Sequence, residues 1–449
     1  MNEAPFPTQT TVPRTLPPPS MRGAPAPRVS RLRATLVTCS GEGAVAEIVG
    51  ACFSSAVVTA WGVELGASPV LLGVLWGLPY FGQLFQLPGA WVTARFGRKR
   101  IAVVMNALAR QALLPIAILP FVALSIDAKR TLLVALFALA SLLSILGNNA
   151  WLAWMGDLVP ARVRGRYFGQ RTAMCTLVAT VASLVVAAAL DAGRAHLRFG
   201  GVLAAVLVAR SVFGVVATVL MRRQHDPPGV AHCPAPRDFA LPFLDRAYRR
   251  LLTYRAVWGL ATGLAASLSA VYLLESLGMG FVGLAAYASI VAALRVVTTP
   301  TWGRMLDRAG GRPVLVACSF GAAASSFLWV FATGGHGWLI VVDAVLSGML
   351  LGGQELAVFT MPLAVTPGWR RPLFVATSVM VGGVTYGLAC VGGGVLAASL
   401  SVRTLLIVAA IARMLAAATA LRLEDPRRGA AVSSLRAHEP PAASLRSPA

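Results

Sequence analysis

Charge is scarce in this chain. Only 12% of its 449 residues are Asp, Glu, Lys or Arg, where a soluble protein carries about 25%. With 57% of residues hydrophobic, a soluble core cannot take up the apolar surface, and lipid is the solvent that accepts it. Paired cysteines are missing as well. Cys39, Cys52, Cys175, Cys233, Cys318 and Cys390 form no CxxC pair and lie mostly inside apolar stretches. They read as small hydrophobes with free thiols, which argues against a structural metal. Residues 1–30 hold eight prolines and no apolar h-region. They are no secretory signal, and are expected to be a disordered cytoplasmic tail, with the first membrane helix as uncleaved targeting signal. No Walker motif is present, which argues against ATP-driven chemistry, and no concentrated His, Asp or Cys constellation marks an enzyme. No cofactor is expected.

The formal net charge is +22, with 37 arginines and only two lysines. Nucleic-acid binding would gather that charge on one face. Here it comes in short clusters between apolar stretches, so the partner is the lipid bilayer and nucleic acid is excluded.

The apolar stretches are candidate membrane spans, since a helix rises 1.5 Å per residue through about 30 Å of hydrocarbon. Twelve occur, near 35–61, 69–93, 100–123, 131–155, 172–190, 201–221, 255–274, 281–301, 313–333, 337–361, 373–397 and 402–421. They do not alternate, which excludes spanning strands. Assigning both termini and the even-numbered loops to one side places 30 of the 39 basic residues there. That asymmetry makes it the cytoplasmic side. The longest connection, 222–254, is polar and carries six basic residues, with Arg255 just beyond, a linker between an N-terminal half, 31–221, and a C-terminal half, 255–425, followed by a disordered tail, 426–449. His225, His232 and Cys233 in that linker lack a fourth ligand and read as solvated.

The halves echo each other. Arg95-Phe96-Gly97-Arg98-Lys99-Arg100 follows span two, and Gly303 to Arg312 follows span eight; aligning Gly97 with Gly310 gives an offset of 213. The loops after spans four and ten, aligned at Pro160 and Pro367, give 207. Parallel repeats of six spans build one major transporter architecture.

On these residues the chain resembles the major facilitator superfamily. Gly303, Asp307, Arg308, Gly310 and Arg312 match that family's loop signature G-x-x-x-D-R-x-G-x-R/K at every defined position, and the resemblance covers about 31–425. It implies an all-α membrane protein of two pseudo-symmetric six-helix bundles, a secondary transporter that works by alternating access, with spans one, four, seven and ten around a central cavity. The first-half copy departs from the pattern: Ala94 replaces the acid and Ala90 the first glycine. The resemblance therefore moves the gate to Asp307, with Arg308 and Arg312, while Gly97, Arg98 and Lys99 keep the turn and its topology-setting charge. Span five lacks the Gly-Pro signature of many drug–proton antiporters in the family.

Ionisable groups at bilayer depth are functional candidates by default. Glu47, mid-span one, is read as a proton or substrate group, or as a structural partner of Arg110. Glu42 is expected to pair with Arg31 or Arg33. Glu355 falls on Asn148 at the 207 offset, so Asn148-Asn149 and Gln354-Glu355 form two polar spots. These are read as a midplane site or as interhelical hydrogen bonds. Gln83, Trp151, Trp154 and Trp258 are weaker candidates. Asp343 is placed at the outer headgroups, Arg295 by the gate, and Arg210 and Arg413 in structural roles at the periphery. The functional expectation is a proton-coupled transporter of a small solute, acting as a monomer in a bacterial inner membrane. Cavity walls poor in charge lean it towards export of an amphipathic compound. A non-transporting receptor, assembly factor or lipid-handling protein is the alternative, kept open by Ala94.

Overall fold

A computed structural model describes residues 29–159, 161–196, 198–226, 236–365 and 371–423. These residues form helices and no strands. Twelve helices are long and apolar enough to cross a membrane, one for each stretch read from the sequence. Spans one to six are Ala34–Glu64, Pro69–Phe96, Arg98–Ile118, Ile126–Met155, Tyr167–Ala195 and Phe199–Arg223. Spans seven to twelve are Tyr248–Ser276, Gly280–Ala309, Gly311–Phe331, Trp338–Met361, Leu373–Leu396 and Val402–Ala420. Helix continues to Arg223 on one side of the 222–254 linker; on the other, a 3-10 turn at Pro236–Ala240 and a short helix at Leu241–Leu244 precede the helix that begins at Arg246. Asp245 starts that second helix by accepting the Tyr248 N–H at 2.8 Å. The terminal tails, His232, Cys233, Pro160, Pro367 and the side chains of Arg31, Arg33, Arg370 and Arg371 lie outside the described residues.

Several spans are broken. Span one runs as Val29–Ala51 and Ser55–Glu64. Span two passes through a 3-10 turn, Gly82–Phe85, just after Pro79, whose missing N–H and bulky ring disturb the ladder. Span seven ends in a π turn, Tyr272–Ser276.

The repeat seen in the loops is also a repeat of conformation. Gly97 has φ 90° and Gly310 φ 93°, a region only glycine enters without strain. Two residues past each, the basic side chain caps the last helix of its own half. Lys99 Nζ donates to the Gln224 carbonyl at 2.6 Å, and Arg312 Nη2 to the Leu421 carbonyl at 2.7 Å. Both satisfy carbonyls left over at a helix C-terminus.

Within the first half, spans one, five and six pack together, as do spans two, three and four; the second half repeats this with seven, eleven and twelve and with eight, nine and ten. Most of the contact between the halves is made by two pairs, span two with eleven and span five with eight, with smaller contacts of spans one and two on spans seven and eight. Span two against eleven is a backbone seam. A side chain at Gly73 would strike the Cys390 carbonyl, and one at Gly77 would lie 2.9 Å from the Gly387 carbonyl. At span five, Asp191 reaches across. Its Oδ1 accepts the Phe281 N–H and its Oδ2 the Val282 N–H, both at 2.9 Å, so a carboxylate of one half caps the first turn of span eight in the other. Phe199 stacks on the fully buried Phe281 beside it.

The apolar core is divided in a telling way. At the end away from the Gly97 and Gly310 turns, one continuous cluster draws on both halves, from Trp61, Ile116 and Leu190 to Leu273, Phe281 and Trp329. At the end of those turns each half keeps its own cluster, around Trp154 in the first and Tyr254 in the second. Among the described residues, apolar packing joins the halves at the far end and does not join them at the basic end.

Candidate functional site

A cavity of about 520 Å³ lies inside the first half. Its chemistry begins at the break in span one. There the Phe53 N–H bonds the Gly50 carbonyl instead of that of Val49. The freed Val49 carbonyl accepts Arg210 Nη1 at 2.6 Å, with the guanidinium 5.7 Å from the Phe53 ring. Arg210 is thus a wall residue and not a peripheral one.

Glu42, 2% exposed, accepts Arg110 Nη2 at 2.8 Å, and Arg110 also donates to Thr218 at 3.3 Å. The expected Glu47–Arg110 pair does not form. Arg110 sits about 18 Å into span three, and its long stem carries the charge back towards the basic end, where Glu42 is the nearer acid. Arg171 Nη2 lies 3.9 Å from Glu42, and the guanidinium stands 4.7 Å over the Trp151 ring. Gly43 makes room for it, since a Cβ there would strike the Arg171 side chain. Glu47 lines the same cavity and, among the described residues, has no hydrogen bond or ion pair. Asn148 and Asn149 line it too.

A second cavity, of about 550 Å³, lies in the second half and borrows Trp76, Tyr80 and Gln83 from span two. Tyr80 meets Tyr386 of span eleven with ring centroids 4.2 Å apart. Asp343, placed at the outer headgroups by the sequence reading, is 2% exposed in this wall. It accepts Tyr287 Oη at 2.8 Å, Trp329 Nε1 at 2.7 Å and Ser347 Oγ at 3.1 Å. Arg413, read as peripheral, lines the cavity and donates to Ser326 Oγ at 2.6 Å. Glu355 is paired with Arg295, whose Nη1 reaches its two oxygens at 2.9 and 3.1 Å. Neither side chain is buried, at 60% and 42% exposure.

The structure separates residues that the sequence grouped. Asn148 and Asn149 line the first cavity, Glu355 and Gln83 the second. Gln354 is buried behind the wall, donating to Tyr254 Oη at 2.6 Å, with Ser319 Oγ 2.7 Å from the same oxygen; it ties spans seven, nine and ten together. Asp307 and Arg308 are exposed at the end of span eight, with Gly303 one turn before them. Arg171 and Arg255, counted as loop charges in the sequence, lie inside spans five and seven and face cavities. Asp191 went unnoticed. Its only signal was an acid at the end of an apolar span, where it has no part in topology.

A twelve-span helical membrane protein of two joined bundles, with polar cavities at bilayer depth, is the class this fold defines. Residues 262–448 match the model of the Major Facilitator Superfamily. Among solved structures, a D-xylose-proton symporter is similar with a TM-score of 0.68 at 14% identity, over 88% of this chain and 98% of that one. A bacterial homologue of the iron transporter ferroportin in an inward-facing state is similar at 0.67 and 14%, over 87% and 99%. The inward open form of the xylose transporter XylE from E. coli is similar at 0.66 and 12%, over 89% and 99%. No curated protein matches in sequence. The second half of the chain thus matches that family's model, and the fold of the whole is that of these transporters.

Proposed function

We propose that the protein is a proton-coupled secondary transporter, moving a small solute across a bacterial inner membrane by alternating access. One observation carries the reading: among the described residues, the apolar core is continuous between the halves at the far end and split at the basic end. That is one of the two states that alternating access requires, and rocking about the span two–eleven and five–eight contacts would give the other. The positive-inside asymmetry makes the basic end cytoplasmic, so this state opens inward. Glu47 is the proposed proton carrier. Asp343 holds three donors and Glu42 and Glu355 hold arginines, whereas Glu47 has no such partner to give up. The exposed Asp307 and Arg308 stand where the family's loop gate would close the basic end. The ground for expecting export was a wall poor in charge. Six arginines and four acids stand in or beside the two cavities, and that ground is gone.

The test is a pair of spin-label distances in proteoliposomes, one across each end of the molecule. Alternating access predicts that the basic-end distance shortens as the far-end distance lengthens, across a series of pH values. Two distances that stay fixed, or that change together, refute the transporter reading.

A further inference from the structure

The walls of the first-half cavity are richer in donors than in acceptors. Three guanidiniums, Arg110, Arg171 and Arg210, face two carboxylates. Glu42 is committed to Arg110 at 2.8 Å, which leaves Arg171 and Arg210 without an acid within hydrogen-bond distance. Four buried side-chain nitrogens of this wall have no acceptor: Arg171 Nε, Arg210 Nε, Asn149 Nδ2 and Trp151 Nε1. All four are donors, and no buried acceptor of the wall is orphaned. Native structures satisfy their buried polar groups almost without exception, so a cluster of orphans of one kind calls for an explanation. The guanidiniums are also held in place. Arg171 lies between the Trp151 ring and Gly43, and Arg210 is anchored on Val49 and the Phe53 ring.

We propose that this cavity is an anion-binding subsite, in which Arg171 and Arg210 take the carboxylate of an amphipathic organic anion. A planar, fixed guanidinium suits a carboxylate geometrically, and the spare N–H groups favour a ligand that only accepts. A cation finds two arginines and no free acceptor except Glu47. The apolar body of the ligand rests on apolar wall residues such as Leu152, Met221 and Ala109. The proposal deepens the transporter reading and rests on it for its role, since a bound anion is cargo only if the halves alternate.

The test is calorimetric binding to full-length protein in nanodiscs, using three ligands that differ in one group: indole-3-acetate, indole-3-acetamide and tryptamine. The anion is expected to bind at least about tenfold more tightly than the amide, the scale of one charge-assisted contact, and the amine more weakly than both. Arg171→Gln and Arg210→Gln should each abolish the preference. Arg171→Lys should keep part of it, and Arg304→Gln, at the exposed basic end, should leave it unchanged. Equal affinities, no measurable anion binding, or a preference that survives both glutamine variants overturns the proposal. So does complete suppression of anion binding by phosphatidylglycerol in place of a zwitterionic lipid, which would make a headgroup the occupant. Anion binding in a protein whose two label distances never move would leave the subsite standing and remove the transporter reading.

Discussion

Replacing Asp191 by alanine should loosen the far end of the molecule without touching either cavity. The carboxylate receives two N–H groups from the first turn of span eight, each at 2.9 Å, and it does so across the boundary between the halves. A hydrogen bond to a charged group contributes about 1.5–3 kcal/mol, and the helix dipole adds about 0.3–1 kcal/mol. Asp191 is only half-buried, so water recovers much of this when the contact opens. A net effect of about 1.5–3 kcal/mol for the whole cap is the reasonable scale. If the closed far end is populated at about 99%, that loss leaves between about 90% and 40% closed. Asp191→Asn, with one acceptor oxygen and no charge, should fall between wild type and alanine. Gly280→Ala should act in the same direction. It forces a Cβ to within 3.0 Å of Asp191 Oδ2 at φ 67°, a conformation that costs an L-residue about 1–2 kcal/mol. The assay is a spin-label distance between Phe121→Cys and Gly335→Cys, two exposed far-end positions on opposite halves, in a background without native cysteines. A broadened or longer distance is expected in Asp191→Ala. An unchanged distribution in a variant that keeps its thermal stability would show that apolar packing alone holds the far end, and the cap argument would fail.

Glu42 and Glu47 should behave as opposites. Glu42→Gln strands Arg110 in the bundle and should cost about 3–5 kcal/mol in thermal unfolding, with Arg110→Met in the same chain recovering most of it; an unchanged melting temperature would mean the pair is not a structural tie. Glu47→Gln removes no partner and should change stability by less than about 0.5 kcal/mol, yet abolish the pH dependence of the basic-end distance; a pH response that persists moves the proton to another acid. Lys99→Ala and Arg312→Ala should each cost about 1–2 kcal/mol and speed hydrogen exchange at the ends of spans six and twelve respectively. An effect at one site only would break the symmetry between the two caps.

Whatever depends on length and composition could be read from the chain, because the bilayer sets a fixed thickness and punishes exceptions. All twelve spans, the glycine turns at Gly97 and Gly310 and the loop signature at Gly303–Arg312 are of that kind. Rotation about the helix axis was not legible, and the site depends on rotation. Gln354 and Glu355 are neighbours in sequence, yet one is buried in a network with Tyr254 and the other faces the second cavity. Asp343 was misplaced for a related reason. Its distance from the span boundary fits a headgroup position, and only the donors brought by spans eight and nine, Tyr287 and Trp329, explain a carboxylate held inside. Arg210 and Glu42 found their partners through a helix break and a long side chain, and neither the break nor the reach is encoded locally.

The seam between spans two and eleven has a mechanical consequence. Helices that meet through interlocked side chains behave like meshed gears: to move, the teeth must first lift clear, and each disengagement raises the energy. Along Gly73, Gly77 and Gly387 the helices approach backbone to backbone, and the Tyr80 and Tyr386 rings beside them lie against each other as flat surfaces. Such a pair works as a plain bearing. It can slip or roll by small amounts while staying in van der Waals contact, so the two bundles can change their tilt without coming apart and without opening a leak along the line where they touch.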